Sequence, residues 1–168
     1  MRISIIGHSG SGKTILANKI SKKLNIPYME IDRLWFESRG NKVNGNNEDE
    51  KNKVRSYMKE KVLNFIEQDS WVSDGWYSKL QPFISEKADL IIFLDISLYR
   101  RLFNHLKRIF GKDKHRELTK WDDIKHFYSI VRGHLIMDKN IRDFANKYSD
   151  KVKIFKNYKE LEKFVESL

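Results

Sequence analysis

The chain has 168 residues, 40% hydrophobic and 12% aromatic, which is typical of one globular domain and unlike a disordered protein. It contains no cysteine, which excludes disulfides, thiolate metal sites and a cysteine nucleophile, and no run approaches the roughly 18 apolar residues of a membrane span. The formal charge of +10 suits a partner rich in phosphate, either a polyphosphate or a nucleic acid. The N-terminal apolar stretch is too short for a signal peptide, so we expect a cytoplasmic protein.

The hydrophobic pattern predicts short strands that alternate with helices. In the first half, the predicted elements are a strand at 2–6, a helix at Thr14–Leu24, a strand at Tyr28–Ile31, a loop at Ser38–Asn47, a helix at Glu48–Gln68 and a strand at Trp71–Ser73. In the second half, they are a strand at Leu90–Leu94, a helix at Leu98–Ile109, a long helix from about Thr119, a strand at Lys151–Phe155 and a closing amphipathic helix.

This alternation predicts an α/β fold, a three-layer sandwich around a five-stranded parallel sheet. The run Leu90–Leu94 is apolar throughout, as expected of a strand that is covered on both faces. No internal repeat or linker interrupts residues 1–168, so we expect a single domain.

Residues Gly7 to Thr14, GHSGSGKT, match the phosphate-binding pattern G-x-x-x-x-G-K-[ST] between a predicted strand and a predicted helix. Glycines allow successive backbone N–H groups to point at phosphate oxygens, and the helix N-terminus adds partial positive charge. The Lys13 ammonium would reach the β- and γ-phosphates of ATP, and the Thr14 hydroxyl would bind Mg²⁺. The candidate nucleotide-binding residues are Gly7, Ser9, Gly10, Ser11, Gly12, Lys13, Thr14 and Ile15.

The additional glycine, Gly10, gives the form G-x-x-G-x-G-K-T, and from here the chain resembles P-loop nucleoside-monophosphate and shikimate kinase-like proteins. It is most similar to the bacterial family named DNA topology modulation proteins, which is related to adenylate kinase. The motifs that carry this resemblance through most of the chain are GHSGSGKT, EIDRLWF (Glu30–Phe36), WVSDGWYS (Trp71–Ser78) and DLIIFLDIS (Asp89–Ser97). The resemblance implies a phosphotransferase with a nucleotide kinase-like P-loop fold.

Three acidic residues follow predicted strands. The resemblance implies that Asp32 faces the phosphoryl acceptor and that Asp74 holds the metal through water. Each could instead be a turn or cap residue, since Asp favours such positions. Asp95 also ends an apolar strand, but in the resembled fold that strand lies on the other side of the P-loop strand, so Asp95 ranks behind Asp74.

Arginines that close over the phosphates would stabilise charge in the transition state. Related kinases supply them from a lid after the fourth strand, which corresponds here to a segment at about 108–120. The candidate arginines are Arg108, Arg116 and Arg132. At the position where nucleotide kinases often stack an arginine on adenine, this chain has Asn104, and the base preference stays open.

The acceptor would bind at about 33–70, where Arg33, Trp35 and Phe36 could stack on a base or, for the two aromatic residues, belong to the core. Adenylate kinases have an arginine just after the Asp-Gly turn, whereas the nearest basic residue here is Lys79. We therefore do not expect a standard adenylate kinase. The acceptor is either a nucleoside monophosphate or another small metabolite. If it reacts through a hydroxyl, Asp32 would orient or deprotonate that hydroxyl.

The basic stretch from Arg100 to Arg116 supports a second hypothesis, a nucleic-acid-associated P-loop NTPase that binds DNA or RNA phosphates. A third is a regulatory ATP-binding protein without catalysis. The segment Thr119–Asp122, TKWD, resembles the guanine-binding motif of GTPases. That motif requires an apolar strand directly before it, whereas residues 114–117 are KHRE, so we do not expect a GTPase.

Overall fold

Five parallel strands form one sheet in the order β2-β3-β1-β4-β5. The computed structural model describes residues 1–39, 48–110 and 139–168. The strands are β1 (Arg2–Gly7), β2 (Tyr28–Glu30), β3 (Trp71–Asp74), β4 (Leu90–Leu94) and β5 (Val152–Phe155).

Helices connect these strands in chain order. They are α1 (Lys13–Leu24), α2 (Ile31–Arg39), α3 (Glu48–Ile66), α4 (Gln81–Lys87), α5 (Leu98–Phe110), α6 (139–147) and α7 (Tyr158–Ser167). Within the described ranges, none of these helices combines the length and apolar composition that crossing a bilayer requires.

Each face of the sheet has its own hydrophobic core, because successive strand side chains point to opposite faces. On one face, Ile3 and Ile5 of β1 pack with Leu16 of α1 and Leu161 of α7. On the other face, residues of α3, α4 and α6 cover Ile6, Ile91 and Phe93, as a three-layer sandwich requires. The predicted α/β fold with a five-stranded parallel sheet is therefore confirmed.

Two short helices are absent from the sequence prediction. α2 has nine residues and α4 has seven, so each offers too few turns for a clear apolar period. α2 also extends through Ser38 and Arg39, which were expected to belong to the loop, and β2 ends at Glu30 rather than Ile31. Residues 119–138, where the long helix was expected to begin, lie outside the described part of the chain. The described residues resume at 139 with α6.

Substitution of Ile92 tests how much the burial of a strand side chain contributes to stability. The Ile92 side chain in β4 is fully buried, whereas Ile154 on the edge strand β5 is 50% exposed. We expect Ile92→Ala to lower the free energy of unfolding by about 2–5 kcal/mol, because it leaves a cavity in a packed core. The matched control, Ile154→Ala, should cost less than about 1 kcal/mol. Urea denaturation measures both, and equal losses would contradict the burial of Ile92.

Candidate nucleotide-binding site

The loop between β1 and α1 lies at the centre of the carboxyl edge of the sheet. β1 is paired on both sides, to β3 through Ile5 and Asp74 and to β4 through Gly7 and Leu94. α1 begins at Lys13, directly after the glycine-rich stretch, so its N-terminus faces the loop. Such an N-terminus carries partial positive charge and exposed N–H donors, which favour an anion.

Gly10 holds the loop in a conformation that other residues could not adopt. Its φ is +78°, and a Cβ there would lie 2.7 Å from the His105 ring and 2.8 Å from the Arg101 carbonyl oxygen of α5. The Ser9 hydroxyl lies 3.3 Å from Nε2 of the same histidine. The loop therefore packs directly on α5. We call the side of the loop that faces α5 its outer side.

The polar groups of the loop fit a phosphate ligand. The Lys13 side chain is largely buried, and its ammonium donates to the His8 carbonyl oxygen at 3.1 Å. The charged group therefore lies against the loop backbone. The Ser11 hydroxyl oxygen is fully buried and has no hydrogen-bond partner among the described residues. Because buried polar groups are normally hydrogen-bonded, this hydroxyl fits a polar ligand bound at the loop. A buried cation beside it suits an anionic one.

Asp74, the last residue of β3, is 2% exposed and accepts hydrogen bonds on both carboxylate oxygens. Thr14 Oγ1 donates to Oδ2 at 2.8 Å, and the Tyr28 phenol donates to Oδ1 at 2.7 Å. The three side chains come from α1, β2 and β3, and the register of the sheet brings them together. Sequence reasoning placed Thr14 and Asp74 at one site, but it did not find Tyr28.

Burial raises the pKa of the Asp74 carboxyl, because removal from water disfavours its charged form. The hydrogen bonds from Tyr28 and Thr14 and the Lys13 charge act in the opposite direction, while the nearby Asp32 adds to the increase. The pKa of Tyr28 is raised, first by burial and then by the negative charge of Asp74. The phenol therefore stays protonated at neutral pH and remains a hydrogen-bond donor.

Asp32 lies close enough to Asp74 for its charge to act on that carboxyl, and it lies beside Gly75. A Cβ on Gly75, whose φ is +125°, would lie 3.2 Å from the Asp32 carboxylate oxygen. Asp32 is exposed and occupies the first turn of α2, where the helix N-terminus favours a negative charge. It therefore does not follow β2 directly, as the sequence predicted, but it reaches the same edge of the sheet.

Asp95, just after β4, forms a bidentate ion pair with Arg142 of α6. The two nitrogen–oxygen distances are 2.7 and 3.1 Å, and the Asp95 side chain is 11% exposed. Sequence reasoning missed Arg142, because nothing local marks a pair 47 positions apart. Asp95 and Asp74 thus differ in their partners, a guanidinium in one case and two hydroxyl groups in the other.

Several of the predicted residues lie elsewhere or outside the described part of the chain. Arg116, Arg132 and the side chain of Arg108 lie outside it, as do the side chains of Trp35 and Phe36. Arg33 is exposed and pairs with Glu37 on the same helix. Arg101 is buried and donates through Nε to the Ile96 carbonyl oxygen, so it does not belong to a basic surface.

A cavity of about 430 Å³ adjoins the outer side of the loop. Its walls include Gly12 and Ile15 from the loop and α1, Asn104 and Lys107 from α5, and Tyr158 from α7. Ile15 is 78% exposed, so its side chain is available for apolar contact with a ligand in this cavity. The predicted residues Asn104 and Ile15 therefore share one space, to which α7 contributes a residue that the sequence did not single out.

Comparisons with known structures agree with this architecture. A shikimate kinase from Aquifex aeolicus has a TM-score of 0.57 and 23% identity, with 99% of this chain and 93% of that chain covered. A shikimate kinase from Bacteroides thetaiotaomicron has a TM-score of 0.55 and 19% identity, with coverages of 99% and 95%. No family model matches the sequence, and no curated protein matches it significantly. At these identities the likeness shows the fold.

The raised pKa of Asp74 predicts a stability difference with a definite sign. A pKa that is higher in the folded than in the unfolded chain means that stability falls as the pH rises through the folded value. We therefore expect Asp74→Asn to be more stable than the wild type at pH 7 in metal-free urea denaturation. This advantage should shrink as the pH is lowered below the raised pKa.

Asp89→Asn is the matched control for this experiment, because Arg2 lowers the pKa of Asp89. The control should lose stability at pH 7, and this loss should shrink toward acid pH. If Asp74→Asn were less stable than the wild type at pH 7, the hydrogen bonds from Thr14 and Tyr28 would outweigh the effect of burial.

Proposed function

We propose that this chain is an ATP- and Mg²⁺-dependent phosphotransferase that moves the γ-phosphoryl group to a small acceptor. The observation that carries this proposal is the hydrogen bond from Thr14 to the buried carboxylate of Asp74, beside the Lys13 ammonium. It links the first turn of α1, which carries Thr14 and Lys13, to the carboxylate at the end of β3, and the Lys13 charge lies close enough to favour the ionised carboxylate. The shikimate kinase-like fold is compatible with this chemistry, although a fold alone does not define a reaction.

The phosphates of ATP would lie against the loop from Gly7 to Thr14. The Lys13 ammonium would exchange its hydrogen bond to the His8 carbonyl for phosphate oxygens, and the Ser11 hydroxyl would gain a partner. The start of α1 favours negative charge at the same place. Substrate positioning and charge stabilisation of this kind account for most of the catalysis in phosphoryl transfer.

Thr14 would hold Mg²⁺ directly, and Asp74 would hold it through water. Both offer oxygen ligands, which Mg²⁺ prefers, and both face the loop that would hold the phosphates. When bound, the ion would neutralise part of the charge on the β- and γ-phosphates. Tyr28 keeps the Asp74 carboxylate in one orientation by its hydrogen bond to the second oxygen.

The nucleotide base would occupy the cavity beside Ile15, Asn104 and Tyr158. Ile15 offers an apolar contact, while the amide and the phenol offer hydrogen bonds to base edges. Asn104 lacks the guanidinium plane that stacks on adenine in related kinases, so polar contacts would contribute more to base selection in this chain.

Asp32 would face the acceptor, because it lies next to Asp74 at the same edge of the sheet and remains exposed. For a hydroxyl acceptor, its carboxylate would orient the hydroxyl or remove its proton. For a phosphate acceptor no base is required, and Asp32 would serve another purpose. We keep the segment at about 33–70 as the acceptor region and that at about 108–120 as the lid, with Arg108, Arg116 and Arg132 as its candidate arginines.

The order of the motifs also favours the DNA topology modulation proteins as the group of kinase-like proteins to which this chain is most similar. A cytoplasmic location stays part of the proposal, and the absence of cysteine suits it. The nucleic-acid hypothesis has less support. It depends on the basic stretch from Arg100 to Arg116, and Arg101 is buried within that stretch. A gel-shift experiment at low salt separates the two functions, since phosphate contacts would give binding that weakens steeply with salt.

Lys13→Ala is expected to lower the rate of ADP release by about a hundredfold or more, because it removes a cation that stabilises the transferring phosphate. A coupled ADP-release assay with a panel of nucleoside monophosphates and small hydroxyl acceptors measures this rate and identifies the acceptor. Lys22→Ala, on the exposed side of the same helix, is the control and should retain activity. ATP turnover that survives in Lys13→Ala would refute the proposed role of the loop.

Tyr28→Phe is expected to raise the Mg²⁺ concentration for half-maximal activity by roughly threefold to tenfold, because the Asp74 carboxylate loses one of its two donors. Binding of ATP in the presence of EDTA, measured by calorimetry, should not change. Tyr57→Phe, at a partly exposed position on α3, is the control. An unchanged Mg²⁺ requirement in Tyr28→Phe would show that Tyr28 does not orient the metal-binding carboxylate.

A further inference from the structure

Two side chains from the second half of the sequence, one on α5 and one on α7, contact the phosphate loop on the side that faces these helices. The Asn104 amide of α5 donates to the Gly10 carbonyl oxygen at 2.8 Å. The Tyr158 phenol of α7 donates to the Ser11 carbonyl oxygen at 3.2 Å. The same amide lies 2.9 Å from the phenol oxygen, so the two groups are also joined to each other. We call Asn104 and Tyr158 the loop clamp.

The loop clamp determines which way the loop N–H groups point. In a trans peptide the C=O and the following N–H lie in one plane and point in opposite directions. Because Tyr158 holds the Ser11 carbonyl toward α7, the N–H of Gly12 points away from α7. Because Asn104 holds the Gly10 carbonyl, the N–H of Ser11 points away from α5 and reaches the His8 carbonyl oxygen at 3.2 Å.

The surroundings make this arrangement rigid. Gly10 packs against the His105 ring, and a Cβ on Gly12 would lie 3.6 Å from the Tyr158 ring. Asn104 and Tyr158 are both partly buried, so water competes weakly for their hydrogen bonds. Neither residue belongs to the loop or to its sequence motif, and 54 positions separate them.

We propose that Asn104 and Tyr158 are positioning residues: Asn104 keeps the loop in the shape closed by the Ser11-to-His8 hydrogen bond, and Tyr158 keeps the Gly12 N–H aimed at a polyphosphate. The inference rests on the proposed function, because it assumes that the loop binds phosphate. Both residues also line the 430 Å³ cavity, so a base in that cavity would touch the clamp that orients the phosphate donors. The clamp thereby links base binding to the geometry of the phosphate loop.

Tyr158→Phe tests the inference, because it keeps the ring and removes only the hydroxyl. We expect the affinities for ATP and for inorganic tripolyphosphate to fall by a similar factor, about threefold to tenfold, since both ligands use the same backbone donors. Calorimetry measures both affinities in the 168-residue chain. Tyr99→Phe is the matched control, because Tyr99 lies on α5 and is 79% exposed.

A second variant and a spectroscopic measurement complete the experiment. Leucine is similar in size to asparagine, so Asn104→Leu removes the amide that donates to Gly10 and changes little else. This variant should also weaken tripolyphosphate binding about threefold to tenfold. If Tyr158→Phe does not fold, Asn104→Leu carries the same test. The amide resonance of Gly12 should shift in Tyr158→Phe and not in Tyr99→Phe, which separates a change in loop geometry from a general loss of stability.

The outcomes distinguish the clamp from other roles. Unchanged tripolyphosphate affinity in both variants, while the wild type binds it, overturns the inference and leaves the proposed function intact. A loss for ATP alone also overturns it, because the residues would then contact only the base. If the wild type binds neither ATP nor tripolyphosphate, both the proposed function and the inference fail.

Discussion

The buried carboxylate of Asp74 joins the segments on which the candidate site depends. A carboxylate with 2% exposure requires hydrogen-bond donors, since burial otherwise disfavours its charge. Thr14 and Tyr28 supply them from α1 and β2, and the Lys13 charge favours the ionised form. The first turn of α1, the edge strand β2 and the end of β3 therefore hold one another in place. Movement of any one of them would leave the carboxylate with too few partners.

The order of the strands explains why the polar groups collect at this edge. β1 lies between β3 and β4, so the loop after Gly7 is flanked by the ends of two strands. In open parallel sheets, ligands bind outside the carboxyl ends of the strands where the connections diverge. The ends of β3 and β4 carry Asp74 and, one residue further, Asp95. Their different partners, hydroxyl groups and the Arg142 guanidinium, give these two carboxylates different chemistry at the same edge of the sheet.

The two sides of the loop carry different chemical groups, which suit different steps of the proposed phosphotransfer. The side toward β3 and α2 carries carboxylates, which suit a metal ion and an acceptor. The side toward α5 and α7 carries the loop clamp of Asn104 and Tyr158, which suits orientation of the backbone and contact with a base. A cost in stability is expected on the acidic side, because the raised pKa of Asp74 reflects a charge that folding removes from water. Sites that require an unfavourable charge commonly carry such a cost.

The sequence by itself determined the features that depend on neighbouring residues: the glycine-rich loop, the helix that follows it, and the alternation of apolar strands with amphipathic helices. These signals lie within a few residues, because backbone conformation and periodicity are local. Only the tertiary structure decided which hydroxyl groups bind Asp74, that Arg142 pairs with Asp95, that Arg101 is buried, and that Tyr158 reaches the loop. The partners of Asp74, Asp95 and Tyr158 are 46 to 147 positions away from them, and strand register and helix packing, which no short pattern encodes, bring them into contact.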